Sequence, residues 1–138
     1  EKYAFKTPKN KEFRGIPFYR EAIMMTKLSA ATVRYHGIYI SNTGKEYLTM
    51  TLAKFDLAEF ARRVALGKAK PLSKKAGLKL CILIYELLRS IHSLKVAHND
   101  LKPDNLLLFD RGQGGVGPHP YRVKLADVGL AYEFELSD

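Results

Sequence analysis

The spacing of apolar positions changes several times along the chain. Tyr3 and Phe5 alternate with polar or small neighbours, which predicts a short strand over residues 2–6. Residues 7–17 contain two prolines, Asn10 and Gly15, and read as loop. From Pro17 onward, Phe18, Ala22, Met25 and Leu28 follow the spacing of one helix face. Residues 33–40 and 46–52 read as strands, and Ser41-Asn42-Thr43-Gly44 between them supplies turn chemistry, so a hairpin is predicted. Residues 55–66 predict a short helix ending at Gly67. Ser73 is a candidate N-cap for a long helix with Leu80, Ile84, Leu87, Leu88 and Ile91 on one stripe. Past His92 the period shifts again. Leu106-Leu107-Leu108-Phe109 reads as a buried strand, and Tyr121, Val123 and Leu125 alternate with Arg122 and Lys124 in another. A Gly/Pro-rich segment, 110–120, joins these two. Strand, helix, hairpin, helices, hairpin, with no βαβ repeat, is an α+β order.

Composition changes this picture little. With 46% hydrophobic and 27% charged residues, a wholly disordered chain is disfavoured. The 138 residues suit one domain. A single cysteine, Cys81, excludes an internal disulfide and is expected to be a small buried hydrophobe on the long helix. The longest apolar stretch, 80–88, is interrupted by Glu86 and too short to cross a bilayer, so no transmembrane segment is expected. The chain opens on Glu1-Lys2 rather than methionine, so residues upstream are expected and no targeting signal is read. Lys and Arg exceed Asp and Glu by 23 to 14, a formal charge of +9. That excess suits nucleic acid, acidic lipid or an acidic substrate. Its two concentrations are Lys2 to Arg20 and Lys54 to Lys79. Neither is interleaved with aromatics as a base-stacking platform requires, so both read as solvated surface and no nucleic-acid partner is expected.

The chemistry concentrates in His98-Asn99-Asp100-Leu101-Lys102-Pro103-Asp104-Asn105, between the long helix and a buried strand. It supplies carboxylate, amine and carboxamide within a few residues. Asp127-Val128-Gly129 follows the last strand. Magnesium-dependent phosphoryl transfer needs these groups: a carboxylate to take the attacking hydroxyl's proton, oxygen ligands for a hard cation, and an amine for phosphoryl charge. In spacing and order the two motifs resemble the catalytic loop and Asp-Phe-Gly motif of eukaryotic protein kinases, with Lys102-Pro103 resembling the serine/threonine type.

The resemblance asks for two positions upstream. Tyr3-Ala4-Phe5-Lys6 matches the strand lysine, and Glu21 lies on the next helix. The pattern of the residues agrees: Glu21 sits between Phe18 and Met25 on an apolar helix face, where an unpaired carboxylate is costly and a strand lysine would relieve it. The resemblance then implies a partial bilobal kinase fold, with residues 1–52 in the first lobe and 53–138 in the second. It implies Asp100 as catalytic base and Lys102 at the γ-phosphate. It also implies Lys6, held by Glu21, on the other phosphates of ATP, with Met50, Leu52 and Leu107 around the adenine, where Thr51 and Leu52 would offer backbone groups. Asn105 and Asp127 would bind Mg2+, and a protein hydroxyl would be the acceptor.

The sequence also departs from the family. Asn99 stands where arginine is usual, which removes the common partner of a phosphorylated activation loop. Val128 stands where phenylalanine is usual and fills less of a core column expected to include Met25, Tyr35 and His98. Gly112, Gly114 and Gly117 spell G-x-G-x-x-G, but Pro118 and Pro120 cannot open a helix there and a kinase glycine loop precedes the strand lysine, so the segment reads as a hairpin loop. His98 reads as a core residue, while His36, His92 and His119 have no partner at a telling spacing. These 138 residues match only the middle of a kinase domain and are expected to be marginally stable and poorly active alone. The competing reading is a truncated or pseudokinase-like module that binds ATP or a partner without catalysis.

Overall fold

Strand β1 (Tyr3–Lys6) pairs antiparallel with β3 (Glu46–Thr51), which pairs antiparallel with β2 (Tyr35–Ile40). The structure, a computed structural model, describes residues 1–7, 16–111 and 120–135, with the side chains of 16 and 17 left aside. Most of the loop expected at 7–17 (residues 8–15) and of the Gly/Pro-rich segment 110–120 (residues 112–119) therefore lies outside the described residues; residues 16 and 17 already belong to a helix and Asp110 to a strand. The turn between β2 and β3 closes through Ser41, whose amide donates to the Lys45 carbonyl at 2.9 Å, and through Gly44 at φ +73°, where a side chain would be strained.

The alternation predicted for β1 is present, but its aromatic face points outward. Tyr3 and Phe5 are 46% and 58% exposed, while Ala4 and Lys6 turn inward. The rings are not left bare: Phe5 meets Tyr39 and Tyr47 edge-on across the sheet at about 6 Å, and Tyr3 meets His36 at 4.9 Å. His36 also bonds the Thr51 hydroxyl through Nε2 at 2.7 Å, a partner its sequence spacing did not announce. What turns Lys6 inward is a buried carboxylate on the helix behind the sheet.

That helix is α1 (Ile16–Lys27). It buries Phe18, Ala22 and Met25 with Leu28 just past its end, the predicted stripe, and Glu21 lies within it. Thr32 then donates its hydroxyl back to the Met25 and Leu28 carbonyls, satisfying groups a helix end leaves unpaired.

The helix predicted from residue 55 begins two residues later. Phe55 and Asp56 form a short strand, β4, paired with β6 (Leu106–Asp110), and helix α2 spans Leu57–Ala65. Two interactions set this boundary. The Phe55 ring packs against Phe60 and Tyr121, and the Asp56 carboxylate accepts the Glu59 amide at 2.8 Å as N-cap. Helix α3 (Lys74–Ser93) starts at Ser73, whose hydroxyl accepts the Ala76 amide at 3.2 Å. Its predicted stripe faces the core, with Leu80 and Ile91 buried and Ile84, Leu87 and Leu88 partly so. Cys81 does not join them. It lies on the outward face with Leu78, Ile82 and Tyr85 and is exposed, which corrects the expectation of a buried thiol.

Strand β7 (Tyr121–Leu125) pairs with β6 in register Leu108 to Val123, giving a sheet of order β4-β6-β7. Two short strands not foreseen from the sequence, β5 (Val96–Ala97) and β8 (Tyr132–Glu133), pair antiparallel. Besides the chain connection from β3 to β4, the two three-stranded sheets meet at the segment that follows α1. Ala31 accepts the Leu125 amide at 2.8 Å, and Val33 donates to the Leu125 carbonyl at 2.9 Å. Leu28, Val33, Leu125 and Leu108 are almost wholly buried near this junction or in the sheets beside it. The architecture is α+β, and the junction fixes the end of β7 against α1, two residues before Asp127.

Candidate active site

Lys6 leaves the inner face of β1 and reaches α1. Its ammonium donates to both Glu21 oxygens, at 2.8 and 2.9 Å, and to Asp127 Oδ1 at 2.9 Å. Three segments far apart in the chain thus meet at one nitrogen. Glu21 is 4% exposed, and Lys6 is its carboxylate's hydrogen-bond partner among the described residues. Burial pushes the Glu21 carboxyl up; Lys6 draws it only part of the way back, and the neighbouring Asp127 charge adds repulsion. Burial pulls the Lys6 ammonium down, but its bonds and attraction to Glu21 and then Asp127 outweigh this, and its pKa is raised. For Asp127, burial raises and the Lys6 bond lowers; with help from the Gly129 amide and Lys102 the net direction is down. The cation is therefore held charged between two carboxylates. Gly129 sits against the same cluster: a Cβ there would lie 3.4 Å from Asp127 Oδ1 and 3.8 Å from Glu21 Oε2.

The second group sits on the loop between β5 and β6. The chain leaves β5 through His98, which is buried. His98 Nε2 faces the Ala126 carbonyl at 2.9 Å, and Nδ1 accepts the Asp100 amide at 3.2 Å. These partners assign the proton to Nε2 and make the imidazole a brace between the loop and the end of β7. Asn99 takes φ +63° to make the corner and reaches the Leu130 carbonyl with its side-chain amide at 3.5 Å. A 3-10 turn (Pro103–Asn105) follows. Asn105 is buried; its Nδ2 donates to the Asp100 carbonyl at 2.8 Å and to Asp100 Oδ2 at 3.2 Å, and its carbonyl accepts the Ala126 amide at 2.9 Å. One asparagine thus fixes Asp100 from one side and the approach to Asp127 from the other. Lys102 Nζ lies 3.4 Å from Asp100 Oδ2 and is half exposed.

With Nδ2 spent on Asp100, the Asn105 amide oxygen has no bond among the described residues, and Asp127 Oδ2 is not bonded to Lys6. An amide oxygen and a carboxylate oxygen are hard donors of the kind Mg2+ takes, so the donor set fits that ion. Among the described residues no group of three or more His, Cys, Asp or Glu side chains gathers as a metal cluster.

Val128 and Met25 are buried in the core and Tyr35 packs against it; His98 is buried as well. Met50 and Leu107 are partly buried, and Leu52 is exposed. The Thr51 amide donates to the Arg34 carbonyl and the Leu52 amide to the Lys2 carbonyl, at 3.0 and 2.9 Å. Those two amides are used within the protein, so a ligand beside them would bond carbonyls or later backbone groups.

Two contacts were not singled out from the sequence. Lys27 at the end of α1 pairs with Glu133 of β8 at 2.7 Å, and an Arg20 guanidinium nitrogen lies 3.5 Å from the Ala131 carbonyl. Both tie α1 to the segment after Asp127. Their sequence separations exceed a hundred residues, and no local pattern marks such pairs.

A family model described as the protein kinase domain matches residues 1–138. Among curated relatives, death-associated protein kinase 2 of Mus musculus and that of Homo sapiens are each 28% identical over 114 residues. The matched segment covers 83% of this chain and 28% of each relative's length.

Proposed function

Because the chain belongs to the protein kinase family, we propose that it carries the centre for Mg2+-dependent transfer of the γ-phosphoryl of ATP to a serine or threonine hydroxyl of a protein. The observation that carries this reading is the meeting of Lys6, Glu21 and Asp127 at one nitrogen, from β1, α1 and the turn after β7. Residues 1–52 then make part of the first lobe and 53–138 part of the second.

Each residue has a role that its surroundings support. Lys6, raised in pKa and oriented by Glu21, presents a fixed positive charge to phosphate oxygens. Asp100 accepts the proton of the attacking hydroxyl, its carboxylate aimed by Asn105 and its backbone by His98. Lys102 lies beside Asp100 and can neutralise charge on the transferred group. Met50, Leu52 and Leu107 would contact the adenine of ATP. Asn105 and Asp127 would hold Mg2+, which supplies charge neutralisation at the phosphates when bound.

The test is transfer of radiolabelled γ-phosphoryl from ATP to a serine/threonine peptide, with Asp100→Asn as the matched control. Loss of a general base costs about 10²–10⁴-fold, so the control should fall near background. Equal signal from both proteins would end the catalytic assignment. Nucleotide binding that persists with no transfer from either would select the pseudokinase-like alternative.

A further inference from the structure

A second concentration of positive charge lies away from Lys6, behind the connection between the two sheets. A cavity of about 230 Å³ is lined by Arg34, Arg122 and Lys124 together with Thr51, Phe109 and Glu1. The strand pattern puts two of the cations there. In β7, Val123 and Leu125 are buried, so Arg122 and Lys124 occupy the other face, opposite Phe109 and Leu107 of β6. Arg34 comes from the other sheet, just before β2, and its carbonyl accepts the Thr51 amide. The wall of the cavity is thus built from both sheets.

The charges in this cavity are unbalanced. Among the described residues, neither Arg34 nor Arg122 has an ion-pair partner. Lys124 gives one N–H to the Ala30 carbonyl at 2.6 Å and keeps two. Among the described residues, Glu1 is the only carboxylate in the lining, and one of its oxygens lies 3.7 Å from His36 Nε2. Burial and then repulsion from Arg122 lower the Lys124 ammonium, the response of a cation that lacks a nearby anion. Three cations against one carboxylate leave an excess of two charges.

We propose that this cavity binds a phosphate monoester or inorganic phosphate, a dianion that matches the excess charge and engages two guanidinium groups. Guanidinium forks suit the oxygens of a tetrahedral phosphate, and the ammonium adds a point charge. A carboxylate, with one charge, would leave the cavity positive. Because the donors come from both sheets, a bound phosphate bridges them at the connection that Thr51 begins. This inference does not depend on phosphoryl transfer at Lys6.

The experiment is a titration of the full chain, labelled with 15N-arginine, that follows side-chain Nε–H signals assigned through Arg34→Lys and Arg122→Lys. Inorganic phosphate is exchanged for chloride at constant ionic strength and pH. The Arg34 and Arg122 signals should move saturably with one shared midpoint in phosphate and stay in place in chloride. Movement that is equal in chloride, or no movement, overturns the proposal, as does a response abolished in folded Lys6→Met, which would put the anion at the other site. A phosphoserine peptide and its unphosphorylated twin make the second arm. Tighter binding of the phosphopeptide assigns the phosphate to a modified side chain, and tighter inorganic phosphate assigns it to the free ion.

Discussion

Removing Lys6 should cost more stability than removing the charge of Glu21, although the two residues share the same bonds. The asymmetry follows from their surroundings. The Lys6 side chain is 32% exposed and has a second carboxylate, Asp127, at 2.9 Å. The Glu21 side chain is 5% exposed and depends on Lys6. Lys6→Met therefore strands a buried carboxylate, which costs about 3 kcal/mol. Glu21→Gln leaves a neutral amide that still accepts a bond from Lys6, and loses about 1 kcal/mol. In the Glu21→Gln background, Lys6→Met should cost only about 1 kcal/mol, a coupling of about 2 kcal/mol. The assay is urea denaturation of the four proteins at pH 7, repeated at pH 5. The pH arm has a definite sign. Burial already raises the Glu21 carboxyl, and without Lys6 it rises further. Its penalty is present above that raised pKa and is relieved as pH falls through it, so the Lys6→Met deficit should shrink at pH 5. Equal single-mutant losses, additive effects and a deficit independent of pH would refute the reasoning.

Three further outcomes follow from the same geometry. Asn105→Ala removes two bonds to Asp100 from a buried position and should cost about 2 kcal/mol, read from the urea midpoint. Ser73→Ala removes the N-cap of α3 and should cost about 1 kcal/mol, with the helix signal in circular dichroism lost at a lower temperature. The Lys6 pKa is raised above 10.5, so its stabilisation is complete below 10.5 and lost as pH rises through the folded value. The stability difference between the parent and Lys6→Met should stay constant from pH 7 to about 10 and narrow only above that.

Much of this fold was legible because its signals are local. The α1 stripe, the hairpin turn at 41–44, the Ser73 cap and the α3 stripe each depend on residues within a turn or two of one another. The errors occur where a distant partner decides. Residues 55 and 56 continue a helical pattern, yet Leu107 and Leu108 draw them into a ladder and Asp56 becomes the cap. In β1 the alternation marks a strand without saying which face is inner; the aromatics of β2 and β3 cover Tyr3 and Phe5 on the outside. Cys81 belongs to a helix long enough to carry apolar residues on both faces, so composition alone could not say which face was core.

The residues of the candidate site stand out in the sequence for a physical reason. Its groups must be polar although several are buried, so they interrupt apolar patterns and stand out, as Glu21 does on α1. The backbone adds a second signal. Among the described residues, the non-glycine positions with positive φ are Lys95, Asn99 and Asp127; Asn99 directly precedes Asp100, and Asp127 is itself a candidate site residue. Asn and Asp are the residues that best tolerate this conformation, because their short side chains bond locally. An asparagine at 99 therefore suits the corner that aims Asp100, whatever regulatory contact it forgoes. The left-handed turn at Asp127 directs its carboxylate to Lys6. Strain of this kind persists only where surrounding bonds over-determine it. Here the bonds of His98, Asn105 and Ala126 do so, and they hold the two acidic residues in fixed relation before any ligand arrives.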